Sequence, residues 1–415
     1  RRPGRRIAGL PLGGASRQSG RMQVPPFSAA EYDRRLAAAR AAMHERDLEA
    51  LIVTDPSNQA WLTGYDGWSF YVHQGVILPA EGTPVWWGRM QDTHGARRTV
   101  DIDRTGIVGY PDHFVQSTER HPMQHLAGTL ADLGIGGGRI GVEMDNYYYS
   151  AKAHQVLAET LPGASLVDAT ALVNWCRAVK SGEELDFMRR AARIAEQVCQ
   201  VAIDIAAPGV AKNELAAEVT RAGILGIGED WGDYPAIVPL MPSGSDAAAP
   251  HLTWNGDPMK DGEATFFELA GCYRRYHVPI ARTVFLGEPP DHFRRAEEAL
   301  LAGMEAGIDA ARAGNRAYDV ANSLGAELER AGIERAARCG YPIGLSYPPD
   351  WGERTISLRP EDETVLEAGM TFHFMPGLWV EDWGLEITES ILIREDGPAE
   401  TFCSMPRQLF VKGAG

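Results

Sequence analysis

Cysteine is scarce in this 415-residue chain: Cys176, Cys199, Cys272, Cys339 and Cys403 are far apart and form no CxxC pair. An odd, scattered set of this kind excludes a disulfide framework and a zinc ribbon, and fits free thiols in a reducing cytoplasm. Long apolar runs are missing too, since none approaches the ~18 residues of a membrane span. Basic residues are outnumbered, with 40 Lys and Arg against 56 Asp and Glu and a net charge of −16. That balance excludes nucleic acid as a partner, which needs a clustered basic face; the acidity reads as solubility. What remains is 44% hydrophobic and 23% charged, the composition of a soluble globular protein long enough for two cores.

Residues 1–21 lack acidic side chains and are rich in Arg, Gly and Ser, with Met22 directly after them. They superficially resemble a transit peptide. Residues 1–27 are read as a disordered extension or a misplaced start, outside the fold. Ser28-Ala29-Ala30-Glu31 then reads as a capping box opening a helix over 28–46. Strands are predicted at Ala50–Val53, Gly75–Pro79, Pro84–Trp87, Thr105–Val108 and Arg139–Val142, with helices near 121–133 and 150–161. Interleaved strands and helices predict an α/β N-terminal domain over 28–178. Leu133-Gly134-Ile135-Gly136-Gly137-Gly138 follows a helix and opens a strand, the reverse of a nucleotide-binding loop, and is read as a plain connection.

A second capping box, Ser181-Gly182-Glu183-Glu184, starts a long helix through about Ile205 and opens a second domain over 179–412. From there the chain repeats itself. Ala202–Ala216 can be laid on Gly307–Ala321 at a constant offset, each copy reading helix, glycine stop, helix, and each followed by a β-rich segment, 263–287 and 369–394. A helix pair plus strands, occurring twice, predicts a pseudo-twofold α+β domain whose two halves share one curved antiparallel sheet. A site between the halves follows naturally.

Three strings are long and idiosyncratic: Gly64-Tyr65-Asp66-Gly67-Trp68-Ser69-Phe70-Tyr71-Val72-His73-Gln74, the hairpin Phe266–Thr283, and Gly340–Arg354. Through them the chain resembles the creatinase/aminopeptidase P/prolidase family, the pita-bread fold, and within it the branch that hydrolyses ectoine. Metallopeptidases of that family hold two metal ions on five ligands. The resemblance sets those ligands at Glu268, Pro279, Tyr341, Met375 and Thr388. One carboxylate in five survives, and proline and methionine are no ligands for a hard divalent cation. The expectation is therefore a hydrolase without metal or other cofactor.

A pocket of this kind suits a substrate that carries its own electrophilic cation, such as the cyclic amidinium of ectoine or hydroxyectoine. Glu268 is expected to attack the amidinium carbon or to activate a water that does. His251 stands where family members place a histidine beside the substrate, and is expected to protonate the departing nitrogen; His277 is a weaker competitor. Glu386 and Glu389 are candidates for gripping the amidinium nitrogens, Tyr341 and Trp351 for lining the pocket, and Trp379 and Trp383 lie near them in sequence. The substrate carboxylate calls for a cation, Arg354 or Arg282. Trp68 and Tyr71 suit the lid that one N-terminal domain places over a neighbouring subunit's site, which implies a homodimer. The rival readings are an amidinohydrolase of the creatinase type, a metal-dependent Xaa-Pro dipeptidase, and a non-catalytic binding module.

Overall fold

The computed structural model describes residues 26–413, so the reading of residues 1–25 lies outside the described residues. A six-stranded mixed sheet forms the N-terminal part, in the order Ile107–Tyr110, Val85–Arg89, Gly75–Pro79, Ala50–Val53, Arg139–Val142, Ser165–Asp168. Ala50–Val53 is central and buried along its whole length, with an antiparallel neighbour on one side and a parallel one on the other. One core lies on each face of this sheet. Leu126, Leu130 and Leu157 from helices Pro122–Asp132 and Ala151–Thr160 fill the first, and Met43, Trp61 and Leu62 fill the second.

The helix at Ala29–Glu45 starts as predicted, with Ser28 Oγ accepting from the Glu31 amide at 3.2 Å. The reciprocal half of the box does not form. Glu31 turns instead to Arg34 and Arg35, and Glu183, from the second domain, takes both the Ser28 amide and its hydroxyl. At Ser181 both halves of the box are present, since Ser181 Oγ accepts from the Glu184 amide and Glu184 Oε2 accepts from the Ser181 amide. Glu184 Oε1 also accepts from Trp61 Nε1 at 3.0 Å and Tyr276 Oη at 2.8 Å. One carboxylate thus caps a helix and ties it to both domains.

The second part contains the expected duplication. Helices Gly182–Ile205 and Lys212–Leu225 precede the long hairpin Ala264–Tyr273/Tyr276–Leu286, and helices Asp291–Ala310 and Ala317–Arg330 precede strands Gly340–Pro342, Thr371–Phe374 and Glu389–Leu392. The glycine stops of the two copies, Gly209 and Gly314, have φ of +87° and +90°, a conformation that costs a residue with a Cβ. This is the pita-bread arrangement of two equivalent halves. The hairpin is extended on its far edge by Phe410–Lys412, which pairs in parallel with Val284–Leu286, so the sheet is antiparallel except at that edge.

The two half-sheets meet along a seam made largely by hydroxyl groups. Ser390 Oγ donates to the Pro279 carbonyl at 2.6 Å, and Thr388 Oγ1 accepts from the Ala281 amide at 2.7 Å. Thr283 Oγ1 donates to the Glu386 carbonyl and accepts from the Glu386 amide. A residue's N and C=O point to the same side of an antiparallel strand. Pro279 therefore turns its missing N–H toward a seam where a side chain makes the bond, and its place inside the strand leaves no ladder donor unmatched.

Candidate active site

Glu268 lies in the middle of the hairpin's first strand, where it pairs with Ala281 across the hairpin and exchanges backbone hydrogen bonds with Leu240 on its other edge. Alternation puts Glu268, Ala270, Pro279 and Ala281 on one face, looking toward the second half-sheet. The side chain is buried, with 5% of the residue exposed. Within the described residues its carboxylate accepts no hydrogen bond, and His373 Nδ1 stands 3.9 Å from Oε1. Burial without compensating donors pushes its pKa up to about 7.

Glu386 faces it from the other half. This residue is fully buried. Its Oε1 accepts from Trp379 Nε1 at 2.7 Å, and its Oε2 has no partner. Burial first, and the neighbouring Glu268 charge second, hold its carboxyl well above the ordinary range. Two carboxyl groups so placed do not both ionise easily. The pair presents free acceptor oxygen to whatever enters, and a delocalised cation is the complementary guest.

Behind Glu268 runs a line of buried polar groups. Trp351 Nε1 donates to Tyr341 Oη at 2.8 Å, Tyr341 Oη lies 2.9 Å from His373 Nδ1, and His373 Nε2 lies 2.7 Å from Thr388 Oγ1. The strand register creates this line, because Tyr341 and His373 are directly paired across Gly340–Pro342 and Thr371–Phe374. Burial, and then the Arg338 charge, depress the His373 pKa to about 3, so the imidazole is neutral. His373 was not among the residues singled out from sequence. Its one local signal is the alternation Thr371-Phe372-His373-Phe374, a polar residue set between core aromatics on a strand.

Glu268, Glu386, Tyr341 and Trp351 are thus brought to one place. Glu389 is a seam residue: its Oε1 accepts from Arg282 Nη2 at 2.5 Å, while its buried Oε2 is unpartnered. Arg282 has five N–H groups, and all are engaged, with Pro406, Ala281, Thr388 and Met405 carbonyls and Glu389 as acceptors. It has no donor left for a substrate carboxylate. Arg354 points away, into the N-terminal domain, pairing with Asp145 at 3.3 Å and lying over the Tyr147 ring. A cation that sequence reasoning passed over stands closer: Arg338, exposed, with its guanidinium 4.7 Å from the Tyr341 ring centroid.

His251 is exposed on the loop after the short helix Gly244–Ala248, and no contact joins it to Glu268 in this structure. The loop itself is close to the site. A Cβ on Gly384 would stand 2.0 Å from the Ala247 carbonyl, so only glycine lets that helix lie against the strand leading to Glu386. His277 is structural, its Nε2 accepting from the Ala236 amide at 2.9 Å. Trp379 serves Glu386, whereas Trp383 packs on Phe293 and His292. Trp68 and Tyr71 are 58% and 61% exposed, Trp68 against Phe70 and Tyr234 and Tyr71 held by Arg89.

The donor set does not fit the metal centre of the fold family. Pro279 and Met375 offer no hard ligand, and Tyr341 and Thr388 are committed to His373. Among the described residues no three His, Cys, Asp or Glu side chains converge as a cage.

Comparison with known proteins agrees with this architecture. The Creatinase/Prolidase N-terminal domain matches residues 35–179, and metallopeptidase family M24 matches residues 186–395. Ectoine hydrolase of Halomonas elongata is 57% identical over 398 residues, which cover 93% of this chain and 98% of that one. Among solved structures, dipeptidase PepE of Mycobacterium ulcerans superposes with a TM-score of 0.77 at 25% identity, covering 93% of this chain and 99% of that one. Prolidase of Thermococcus sibiricus gives 0.80 at 19% identity, covering 92% and 100%, and speaks for the fold alone. The chain belongs to metallopeptidase family M24, as a hydrolase that joins a Creatinase/Prolidase N-terminal domain to a pita-bread domain.

Proposed function

We propose that the protein hydrolyses the cyclic amidine ring of ectoine, giving an N-acetyl-2,4-diaminobutyrate, without a metal ion. The observation that carries this reading is the pair Glu268 and Glu386: two buried carboxyl groups, the first accepting no hydrogen bond among the described residues and the second with its Oε2 unpartnered, in a site whose metal ligands are replaced. The relative in Halomonas elongata, named ectoine hydrolase, supports the choice of substrate.

The chemistry follows from charge. An amidinium carbon bonded to two nitrogens is already electron-poor and needs no Lewis acid. Its arrival beside Glu268 stabilises the carboxylate form. Glu268 supplies the nucleophilic oxygen, its own or that of a water whose proton it takes. A C–O bond forms at the amidinium carbon, one ring C–N bond breaks, and the departing nitrogen gains a proton. One water is consumed, and an amide and an ammonium group result. Glu386 accepts from a ring N–H, and His251 is the proposed donor to the leaving nitrogen, carried by the loop that abuts Gly384. With Arg282 saturated and Arg354 turned away, Arg338 becomes the choice for the substrate carboxylate. Trp68 and Tyr71 are proposed to close the site of a second subunit in a homodimer.

Incubation of the chelator-treated protein with ectoine, followed by NMR, tests the reading. Ring opening is expected, with creatine untouched. Loss of turnover on chelation, or binding of ectoine with no product at any pH, would overturn it.

A further inference from the structure

The line Trp351–Tyr341–His373–Thr388 can be solved by counting protons. Both ends are fixed by groups that only donate: Trp351 Nε1–H to Tyr341 Oη, and the Ala281 amide to Thr388 Oγ1. Between them lie two junctions, Tyr341 Oη to His373 Nδ1 and His373 Nε2 to Thr388 Oγ1. Each junction holds one proton. The phenol, the neutral imidazole and the threonine hydroxyl together bring three, so one proton must point out of the line, at one end or the other.

The two ends are not equivalent. If the surplus proton sits on Thr388, it points into a fully buried region where that hydroxyl has no further partner among the described residues. An unsatisfied buried donor costs about 1–3 kcal/mol. If it sits on Tyr341, it makes no hydrogen bond among the described residues either, but a carboxylate stands on that side: Glu268, 3.9 Å from His373 Nδ1 and near enough for its charge to act on the phenol. We propose that the surplus proton is the Tyr341 hydroxyl's, directed at Glu268 and at the oxygen Glu268 delivers, and that His373 carries its own proton on Nδ1. Tyr341 then accepts from both Trp351 and His373, and each of these donors polarises its O–H. The arrangement supplies a preorganised hydrogen-bond donor for charge developing on the reacting oxygen. Tyr341 acts there directly, while His373, Thr388 and Trp351 are positioning residues. The charged groups facing the line are Glu268, Asp350 and Arg338.

The proposal rests on Glu268 as the group that delivers the oxygen, and two measurements keep the two readings separable. In the substrate-free protein, ¹⁵N shifts of the His373 ring are expected to show a neutral imidazole protonated at Nδ1; a proton on Nε2 overturns the arrangement whatever the substrate is. Carboxyl ¹³C titration of the same protein is expected to show Glu268 shifted upward by at least about half a unit in Tyr341→Phe; no shift overturns the role of the hydroxyl. With ectoine, Tyr341→Phe is expected to lower kcat by about 10²-fold while KM stays within about threefold. Thr388→Val is expected to lose activity in the same direction, and Thr388→Ser to recover it. A wild-type kcat in Tyr341→Phe sinks the proposal, whereas a wild-type protein inert toward ectoine sinks the choice of substrate and leaves the two NMR results to decide the line.

Discussion

Glu268 shows how one side chain can be costly to the fold and useful to the reaction. Its pKa is raised by burial from 4.5 to about 7, so between those values the folded protein binds more protons than the unfolded chain. Stability therefore falls as pH rises through that window. Replacement by glutamine removes the penalty, and Glu268→Gln is expected to melt about 2 °C or more higher than wild type at pH 8, with little difference near pH 4.5. Activity moves the opposite way, because the reaction needs the carboxylate. In the wild type, kcat/KM is expected to rise through an acid limb near pH 7, and kcat to reach its plateau at lower pH, since bound amidinium favours the ionised form. A profile flat from pH 5 to 9, or a variant less stable than wild type at pH 8, would remove Glu268 from this position. The carboxylate was legible in the sequence, because its place in the hairpin string is local. Its partner His373 was not, since nothing near residue 373 announces that Tyr341 and Thr388 will flank it. Arg282 was misleading for the same reason, as four of its five acceptors come from distant strands and loops.

At the level of elements, the site is held by close backbone approach as much as by side chains. The long helix Gly182–Ile205 lies on the hairpin at Gly271, where a Cβ would stand 2.0 Å from the Ala191 carbonyl and 2.4 Å from the Ala195 amide. Backbone at that distance has no room to yield without moving the helix. Gly271→Ala is expected to cost about 1–3 kcal/mol, read as a lower denaturation midpoint, and to reduce activity by displacing the strand that carries Glu268. An unchanged midpoint would mean that the helix adjusts freely. Elements of this kind were readable where their signals are local: the Ser181 box, the strands Gly75–Pro79 and Arg139–Val142, and the paired glycine stops. The Ser28 box failed where a tertiary partner won, because buried Arg35 draws Glu31 inward at 2.7 Å and Glu183 takes the vacated cap. The hydroxyl seam was invisible as well, since Thr283, Thr388 and Ser390 are unremarkable until two half-sheets are brought side by side.

At the scale of the whole molecule the two parts of the chain are locked together, with Glu353 taking Lys180 at 2.7 Å and Arg177 at 3.3 Å in a buried group that also reaches Asn58. An N-terminal domain fixed this firmly is not free to swing over its own site. The exposed aromatics Trp68 and Tyr71 belong to that fixed domain, and no contact joins them to Glu268 within the chain. The lid proposed for them would then close the site of a second subunit, with the two halves of each site on different chains, and mixing inactive variants tests that proposal. Glu268→Ala lacks the carboxylate but keeps the lid; the double variant Trp68→Ala/Tyr71→Ala keeps the carboxylate but lacks the lid. After unfolding, mixing in equal amounts and refolding, half the dimers should be mixed, and each mixed dimer holds one complete site. Recovery of about a quarter of the wild-type turnover is expected. If the mixture stays as inactive as its components while sedimentation shows mixed dimers, the lid and the carboxylate act within one chain; if sedimentation shows monomers with full wild-type activity, the lid has no second subunit to close.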